Sequence, residues 1–334
     1  MNAQNSLSES AHGHQLPPVS VILTVANEAA HLESAINAIL NSLYQGEIEV
    51  AIAVGPSNDG TFEIAENLSA SDNRIKVIKN PSGRTPDGLN AAIGATKHEI
   101  IVRVDGHSEI SKDYIDKAVK ILQETGAVNV GGIMAAEGIT PFQRAVAKAM
   151  RSPIGVGPAR FHTGGSAGST DTVYLGVFKR SALDAIGGYD KRFTRAQDWE
   201  LNYRLRSNGG LIWFDPSLQV TYRPRKNPRA LASQYFQYGR WRSAVLRHHK
   251  KAANARYLAP PLNLIAQLIS MTLGVFVNPI FFLLPMIYLS TILIASLILG
   301  KGWNEKIRLP IVLIIMHFCW GFGFITSPRT LISR

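Results

Sequence analysis

The chain has 334 residues, 46% of them hydrophobic, and a formal net charge of +11. That length exceeds one small domain, and the single cysteine, Cys319, excludes an intrachain disulfide and any cysteine-based metal site. The cationic excess suits nucleic acid, anionic lipid or a phosphorylated substrate, but its concentration beside apolar C-terminal stretches argues for lipid headgroups or a lipid diphosphate and against nucleic acid.

Residues 1–18 are polar and lack an apolar run, so they read as a disordered lead-in, not as a cleaved signal peptide. Short apolar runs then alternate with segments of helical period, the pattern of an α/β domain with a mostly parallel sheet and helices on both faces. Strands are expected at 19–25, 48–54, 75–79, 100–104 and 128–132, and helices at 29–42, 62–69, 86–95 and 112–124. Ligands of such sheets bind beyond the carboxyl ends of the strands, which directs attention to the residues that follow each one.

After the first strand come Asn27 and Glu28, and after the second Ser57-Asn58-Asp59-Gly60-Thr61. Taken alone, both turns read more readily as helix caps than as ligand contacts. The run Gly83-Arg84-Thr85-Pro86-Asp87-Gly88-Leu89-Asn90 sets a cation beside a turn that opens a helix, an arrangement suited to a diphosphate. The fourth strand runs into Asp105-Gly106-His107, where an acid and a second ligand two residues on can hold a divalent ion completed by phosphate and water, or Asp105 can simply cap a turn. Further on, Asp198 and Glu200 open an amphipathic helix. Acids two apart cannot share a helix face, so Asp198 can point into a cleft as a general base while Glu200 pairs with Arg204.

From Tyr203 to Arg256 there are twelve Lys or Arg against one acid, Asp215. The stretch 257–300 has no charged residue, and 309–328 has only His317 and Cys319 as ionisable groups. A bilayer core takes about 20 apolar residues per helix, so two crossings fit before Gly300, broken near Asn278 and Pro279, and a third fits after Leu309. The basic flank places the bulk of the chain on the cytoplasmic side. Three crossings then leave the tail outside, against the mild pull of Arg329 and Arg334.

The ordered set Asn27-Glu28, Ser57-x-Asp59-Gly60-Thr61, Asp105, Gly187-Gly188-Tyr189-Asp190 and Gln197-Asp198-Trp199-Glu200 resembles the inverting family 2 glycosyltransferases with a GT-A nucleotide-sugar-binding fold, over about 19–241. Gly83-Arg84-Thr85-Pro86, Asp105-Gly106-His107, Asp171-Thr172-Val173-Tyr174-Leu175-Gly176 and the trailing spans are similar, more narrowly, to the succinoglycan-biosynthesis type of bacterial exopolysaccharide enzymes. The resemblance implies a GT-A domain at 19–229, a basic amphipathic interfacial segment at 230–257, a membrane region with about three transmembrane helices at 258–328 and a tail at 329–334.

The likeness also implies site residues. Asn27, Glu28, Asp59, Arg84, Asn90 and Asp105 would bind a nucleotide-sugar donor, with UDP the expected nucleotide, and Asp105 and His107 would hold Mg²⁺ or Mn²⁺. Asp198 would be the catalytic base. Gln237, Arg240 and Trp241 fit a QxxRW pattern in which Arg would hold diphosphate and Trp would stack on an acceptor sugar; Trp241 reads as well as an interfacial anchor. One departure is Val54-Gly55-Pro56, where the family usually has an acid that contacts the base. The expected activity is inverting, metal-dependent sugar transfer to a lipid-linked glycan at the cytoplasmic face of the cell membrane. A processive polysaccharide synthase, or a catalytically silent protein that binds a nucleotide-sugar or lipid, remains an alternative from sequence.

Overall fold

A computed structural model of the protein describes residues 16–252 and 254–332. Most of the expected lead-in therefore lies outside the described residues. The strands are β1 (Val19–Val25), β2 (Ile48–Val54), β3 (Ile75–Lys79), β4 (Ile100–Arg103), β5 (Glu109–Ile110), β6 (Asn129–Ala136), β7 (Gly168–Ser169), β8 (Tyr174–Lys179) and β9 (Ile212–Tyr222). The helices of the same region are α1 (Leu32–Leu40), α2 (Thr61–Ser71), α3 (Thr85–Gly94), α4 (Tyr114–Thr125), α5 (Pro141–Met150), the single turns α6 (Pro153–Val156) and α7 (Arg160–Thr163), α8 (Arg180–Ala185) and α9 (Gln197–Ser207).

The strands form one sheet in the order β3-β2-β1-β4-β8-β6-β9-β5, with β7 beside β9. Its long ladders, β1 with β2 and β4, β2 with β3, and β6 with β9, are parallel; the shorter ladders that close the sheet are antiparallel. β1 and β2 are largely apolar because both faces are covered, and the exceptions Ser20 and Glu49 are buried as a hydrogen-bonded pair at 2.7 Å. Val19, Val21, Leu23 and Val25 face α1 and α4, whereas Ile22, Ala51 and Ala53 face α3 and α9. Local signals set the helix ends: Thr140 and Gln143 form a reciprocal cap on α5 with Pro141 in its first turn, and Gly126 ends α4 in the left-handed conformation.

The 21-residue α10 (Pro228–His248) leads to α11 (Ala259–Phe276), α12 (Leu283–Leu299), the turn α13 (Trp303–Lys306) and α14 (Leu309–Ile325). Among the described residues three segments, Ala255–Phe276, Pro279–Leu299 and Trp303–Ile325, are long and apolar enough to cross a membrane. Phe276, Val277, Ile287 and Ile298 expose more apolar surface than water tolerates on a soluble protein.

These helices do not hang free of the sheet domain. Leu309, Val312, Leu313 and Met316 of α14 share a core with Val146 and Met150 of α5, Leu231 and Tyr235 of α10 and Met134 of β6. The crossing of α10 and α14 is made by glycine. A Cβ on Gly239 would lie 1.9 Å from the Trp320 carbonyl oxygen, and one on Gly323 would lie 2.1 Å from that of Phe236. Backbone meets backbone there, as at small-residue crossings in membranes. His317, on the same helix, reaches the Ile154 carbonyl at 2.7 Å and the Tyr288 hydroxyl at 3.0 Å.

Gly239→Val is expected to force this crossing apart and to destabilise the protein by about 1–3 kcal/mol. Gly302→Val, where an added Cβ meets nothing within 4 Å, should change stability by no more than about 0.5 kcal/mol. Thermal unfolding in detergent or nanodiscs compares the two.

Candidate active site

The carboxyl ends of β1 and β4, the turn into α3 and the start of α9 surround a polar crevice of about 260 Å³. Thr24 and Glu28 line it from the β1 side, Gly83 and Thr85 from α3, and Arg103, Asp105 and His107 from β4 and the turn after it. Gln197 closes it from α9. Gly106 packs so closely under this turn that a Cβ would lie 2.6 Å from Val25 Cγ1.

The floor is organised by Arg103, which ends β4 and is 4% exposed. Its Nη2 donates to Asp105 Oδ1 at 3.0 Å and its Nη1 donates to Asp198 Oδ1. Two carboxylates that are far apart in sequence thus meet on one guanidinium. The Tyr189 ring lies 6.0 Å beneath that group, at the limit of a cation–π contact. Asp198 reaches this position because Ala196 adopts a left-handed φ of 58°, which turns the chain sharply into α9 and costs a non-glycine residue about 1 kcal/mol. Burial pushes the Asp198 carboxyl above its usual range, while Arg103 opposes that rise. Glu200, two residues on, points away from the crevice and is buried with Arg204 at 2.7 Å and His249 at 2.9 Å.

On the β1 side, His107 Nδ1 lies 2.8 Å from Glu28 Oε1. The hydrogen bond to Glu28 raises the His107 pKa. A neutral ring that donates Nδ1–H to Glu28 keeps the Nε2 lone pair, the way carboxylates commonly orient metal-binding histidines, so this contact leaves the expected role of His107 beside Asp105 open. Asp105 also suits a divalent ion, because Arg103 takes only Oδ1, and Oδ2 has no hydrogen bond among the described residues. Among those residues no three His, Cys, Asp or Glu side chains converge as a metal-binding group. An ion at Asp105 would have to be completed by phosphate oxygens and water.

Other expected donor residues brace the crevice instead of lining it. Asn27, left-handed at φ 54°, accepts from Asn58 N at 3.1 Å. Asp59 accepts from Thr61 N and Ala29 N, both at 3.1 Å, and the Thr61 hydroxyl receives Glu28 N at 2.8 Å. These bonds tie the turns after β1 and β2 together, with Glu28 aimed inward. Arg84 sits at the start of α3 between the lining residues Gly83 and Thr85, and its carbonyl accepts from Asn80 Nδ2 at 3.1 Å. Asn90 is occupied elsewhere: its amide donates to the Tyr189 carbonyl at 2.7 Å and accepts from Tyr189 N at 2.8 Å, which fixes the turn carrying Tyr189 under Arg103.

The α10 residues depart furthest from expectation, since none of Gln237, Arg240 and Trp241 lines the crevice. Trp241 is 6% exposed and packs with Phe193, Trp199 and Val245, so its face is closed to a sugar. The Arg240 guanidinium lies 5.5 Å over the Phe236 ring, and its carbonyl accepts from Ser327 Oγ at 2.8 Å, on the side of the apolar helices. Arg103 was missed as a site residue. Its signal was an arginine in the otherwise apolar run Ile100-Ile101-Val102-Arg103-Val104, since a cation in a buried strand needs an acid to face.

The family model described as Glycosyl transferase family 2 matches residues 20–187. The succinoglycan biosynthesis protein ExoA of Rhizobium meliloti (strain 1021) is 32% identical over 72% of this chain and 73% of its own length. A dolichyl N-acetyl-alpha-D-glucosaminyl phosphate 3-beta-D-2,3-diacetamido-2,3-dideoxy-beta-D-glucuronosyltransferase of Methanococcus voltae is 24% identical over 92% of this chain and 95% of its own. Among solved structures, mannosyltransferase PcManGT from Pyrobaculum calidifontis, in complex with GDP-Man and Mn²⁺, superposes with a TM-score of 0.59 at 17% identity over 91% of this chain and 86% of that one, a likeness of fold. The chain belongs to glycosyl transferase family 2 and is a glycosyltransferase with a GT-A-like α/β fold. Asp198 and α10 lie beyond the residues that the family model matches.

Asn90→Ala should leave the Tyr189 backbone groups unpaired, at a cost of about 1–3 kcal/mol. Thermal unfolding should register that loss, while donor affinity of the folded variant should change by less than about 1 kcal/mol.

Proposed function

We propose that this glycosyltransferase moves a sugar from a nucleoside-diphosphate donor to a lipid-linked glycan with inversion at the anomeric carbon, and that Asp198 is its base. The observation that carries this reading is the pair Asp105 and Asp198 on the one guanidinium of Arg103, which lines the crevice together with Asp105 and with Gln197, the neighbour of Asp198. The donor diphosphate would lie between Asp105 and the start of α3, whose free N–H groups and Arg84 suit an anion. A divalent cation, Mg²⁺ or Mn²⁺, bound at Asp105 would supply charge neutralisation to the leaving diphosphate. Asp198, across the floor, would take the proton of the acceptor hydroxyl as it attacks. A single carboxylate in that position suits direct displacement.

The Mn²⁺ and GDP-Man carried by the Pyrobaculum structure support a metal and a nucleotide-sugar. The second strand ends in Val54-Gly55-Pro56 without an acid, so the base is read by other groups, and UDP- and GDP-sugars belong in one binding panel. The dolichyl phosphate in the name of the Methanococcus relative supports a lipid-linked acceptor. The basic stretch before α11 supports a catalytic domain on the cytoplasmic side of the cell membrane, as cations flanking spans stay inside.

Labelled donor incubated with the full chain in membranes tests the assignment. Asp198→Asn should lower transfer by about 10²- to 10⁴-fold, the usual worth of a positioned base, with donor binding preserved. Asp105→Ala should weaken metal-dependent donor binding. Near-normal turnover of Asp198→Asn would remove Asp198 from the mechanism.

A further inference from the structure

Arg103 occupies a place that no structural requirement of the sheet explains. β4 lies between β1 and β8, and a charged side chain there is costly unless it is paired. It does have partners, and both lie at the crevice end of the sheet: Asp105, two residues along the same turn and part of the crevice lining, and Asp198, at the start of α9 beside the lining residue Gln197. Among the described residues no other side chain donates to the Asp198 carboxylate. This contact is the one polar link from that carboxylate to the rigid centre of the sheet.

We infer that Arg103 is the positioning residue of the transfer reaction, acting through Asp198; the inference rests on the role proposed for Asp198 above. Its guanidinium takes Oδ1 and leaves Oδ2 of a side chain that is still 37% exposed. The planar fork of arginine fixes direction as well as distance for both acids. During transfer the acceptor O–H bond breaks and its proton passes to Asp198 Oδ2. The acceptor oxygen bonds to the anomeric carbon, and the bond from that carbon to the diphosphate oxygen breaks, with its electron pair leaving on the diphosphate. Asp198 is neutral after this step. Arg103 would then be a buried cation without a counter-charge, were it not also bound to Asp105. One guanidinium between two acids thus remains paired before and after the proton moves, and Asp198 has no reason to swing away.

The experiment is a kinetic cycle on the full chain in nanodiscs with Arg103→Lys, Asp198→Asn and the double variant, and with Arg103→Met beside them. Lysine keeps the buried charge but cannot bridge both acids. Arg103→Lys is therefore expected to lower kcat by about 10-fold and Arg103→Met by about 10²-fold, the range that misplacement by about an ångström produces. The Kd for the donor nucleotide in metal-free buffer, where Asp105 holds no cation, should stay within about twofold. In the Asp198→Asn background, Arg103→Lys should add less than about twofold, because residues that act as a unit are not additive. Thermal unfolding identifies the folded variants, and Arg103→Lys carries the test if Arg103→Met does not fold. Wild-type kcat in Arg103→Lys, a loss that appears in donor Kd instead of kcat, or a full 10-fold effect on top of an inactive Asp198→Asn would each overturn the inference while leaving the base assignment intact. An active Asp198→Asn would overturn both.

Discussion

A buried positive charge has to be answered by negative charge close at hand, and at the end of β4 that requirement shapes the crevice. Arg103 cannot be solvated where it lies. It recruits Asp105 from its own turn and Asp198 from the start of α9, and so joins the parallel strands around β1 to a helix that follows the antiparallel β8. Much nearby detail serves the same contact. Asn90 grips the Tyr189 backbone and holds that ring beneath the guanidinium, and the left-handed Ala196 swings Asp198 inward. Removing one partner from such an arrangement leaves an uncompensated charge, with a typical cost of about 3–5 kcal/mol.

Opposite this rigid floor, the wall made by the first two strand ends is polar and built by short-range bonding. Asp59, Thr61, Ser57 and Asn27 satisfy one another's backbone across the two turns, and Glu28 emerges from that lattice to meet His107. The division is physically sensible. Loops that carry ligand contacts cannot hide their N–H groups in a core, so side chains must satisfy them.

The sheet was legible in the sequence where burial on both faces produces largely apolar runs: β1 and β2 begin and end where those runs do, and the half-buried Ile75-Lys76-Val77-Ile78-Lys79 marks β3 by its β-branched residues. The helix before Ser42 is shorter than its pattern because residues 29–31 form a turn that Asp59 holds, so α1 begins only at Leu32. β5, β7, β8 and β9 were less legible, since they pair antiparallel or late in the chain and two of them are only two residues long. At the site, motif residues revealed which turns matter but not what each side chain touches. Asn27, Asp59 and Asn90 bond to backbone, a use that residue type and spacing cannot distinguish from ligand contact. Trp241 looked like a stacking platform because aromatic residues serve both cores and sugars, and only the packing of Phe193, Trp199 and Val245 around it separates the two.

That packing also explains how the apolar helices and the chemistry share one element. α10 has two working faces. Through Trp241 and Val245 it supports Trp199, the neighbour of Asp198, and through Gly239 it receives the backbone of α14. Arg242, on the same helix, lies 4.3 Å from the Trp199 ring and 4.4 Å from that of Tyr257, just before α11. A shift of the apolar helices relative to the sheet would therefore act directly on the packing behind Asp198. In a protein whose interior is close-packed, such a displacement is resisted by the whole contact and not absorbed locally. The direct contact from that side is Tyr257, whose hydroxyl accepts from Trp199 Nε1 at 3.0 Å, and α10 is the element that joins this packing to α14.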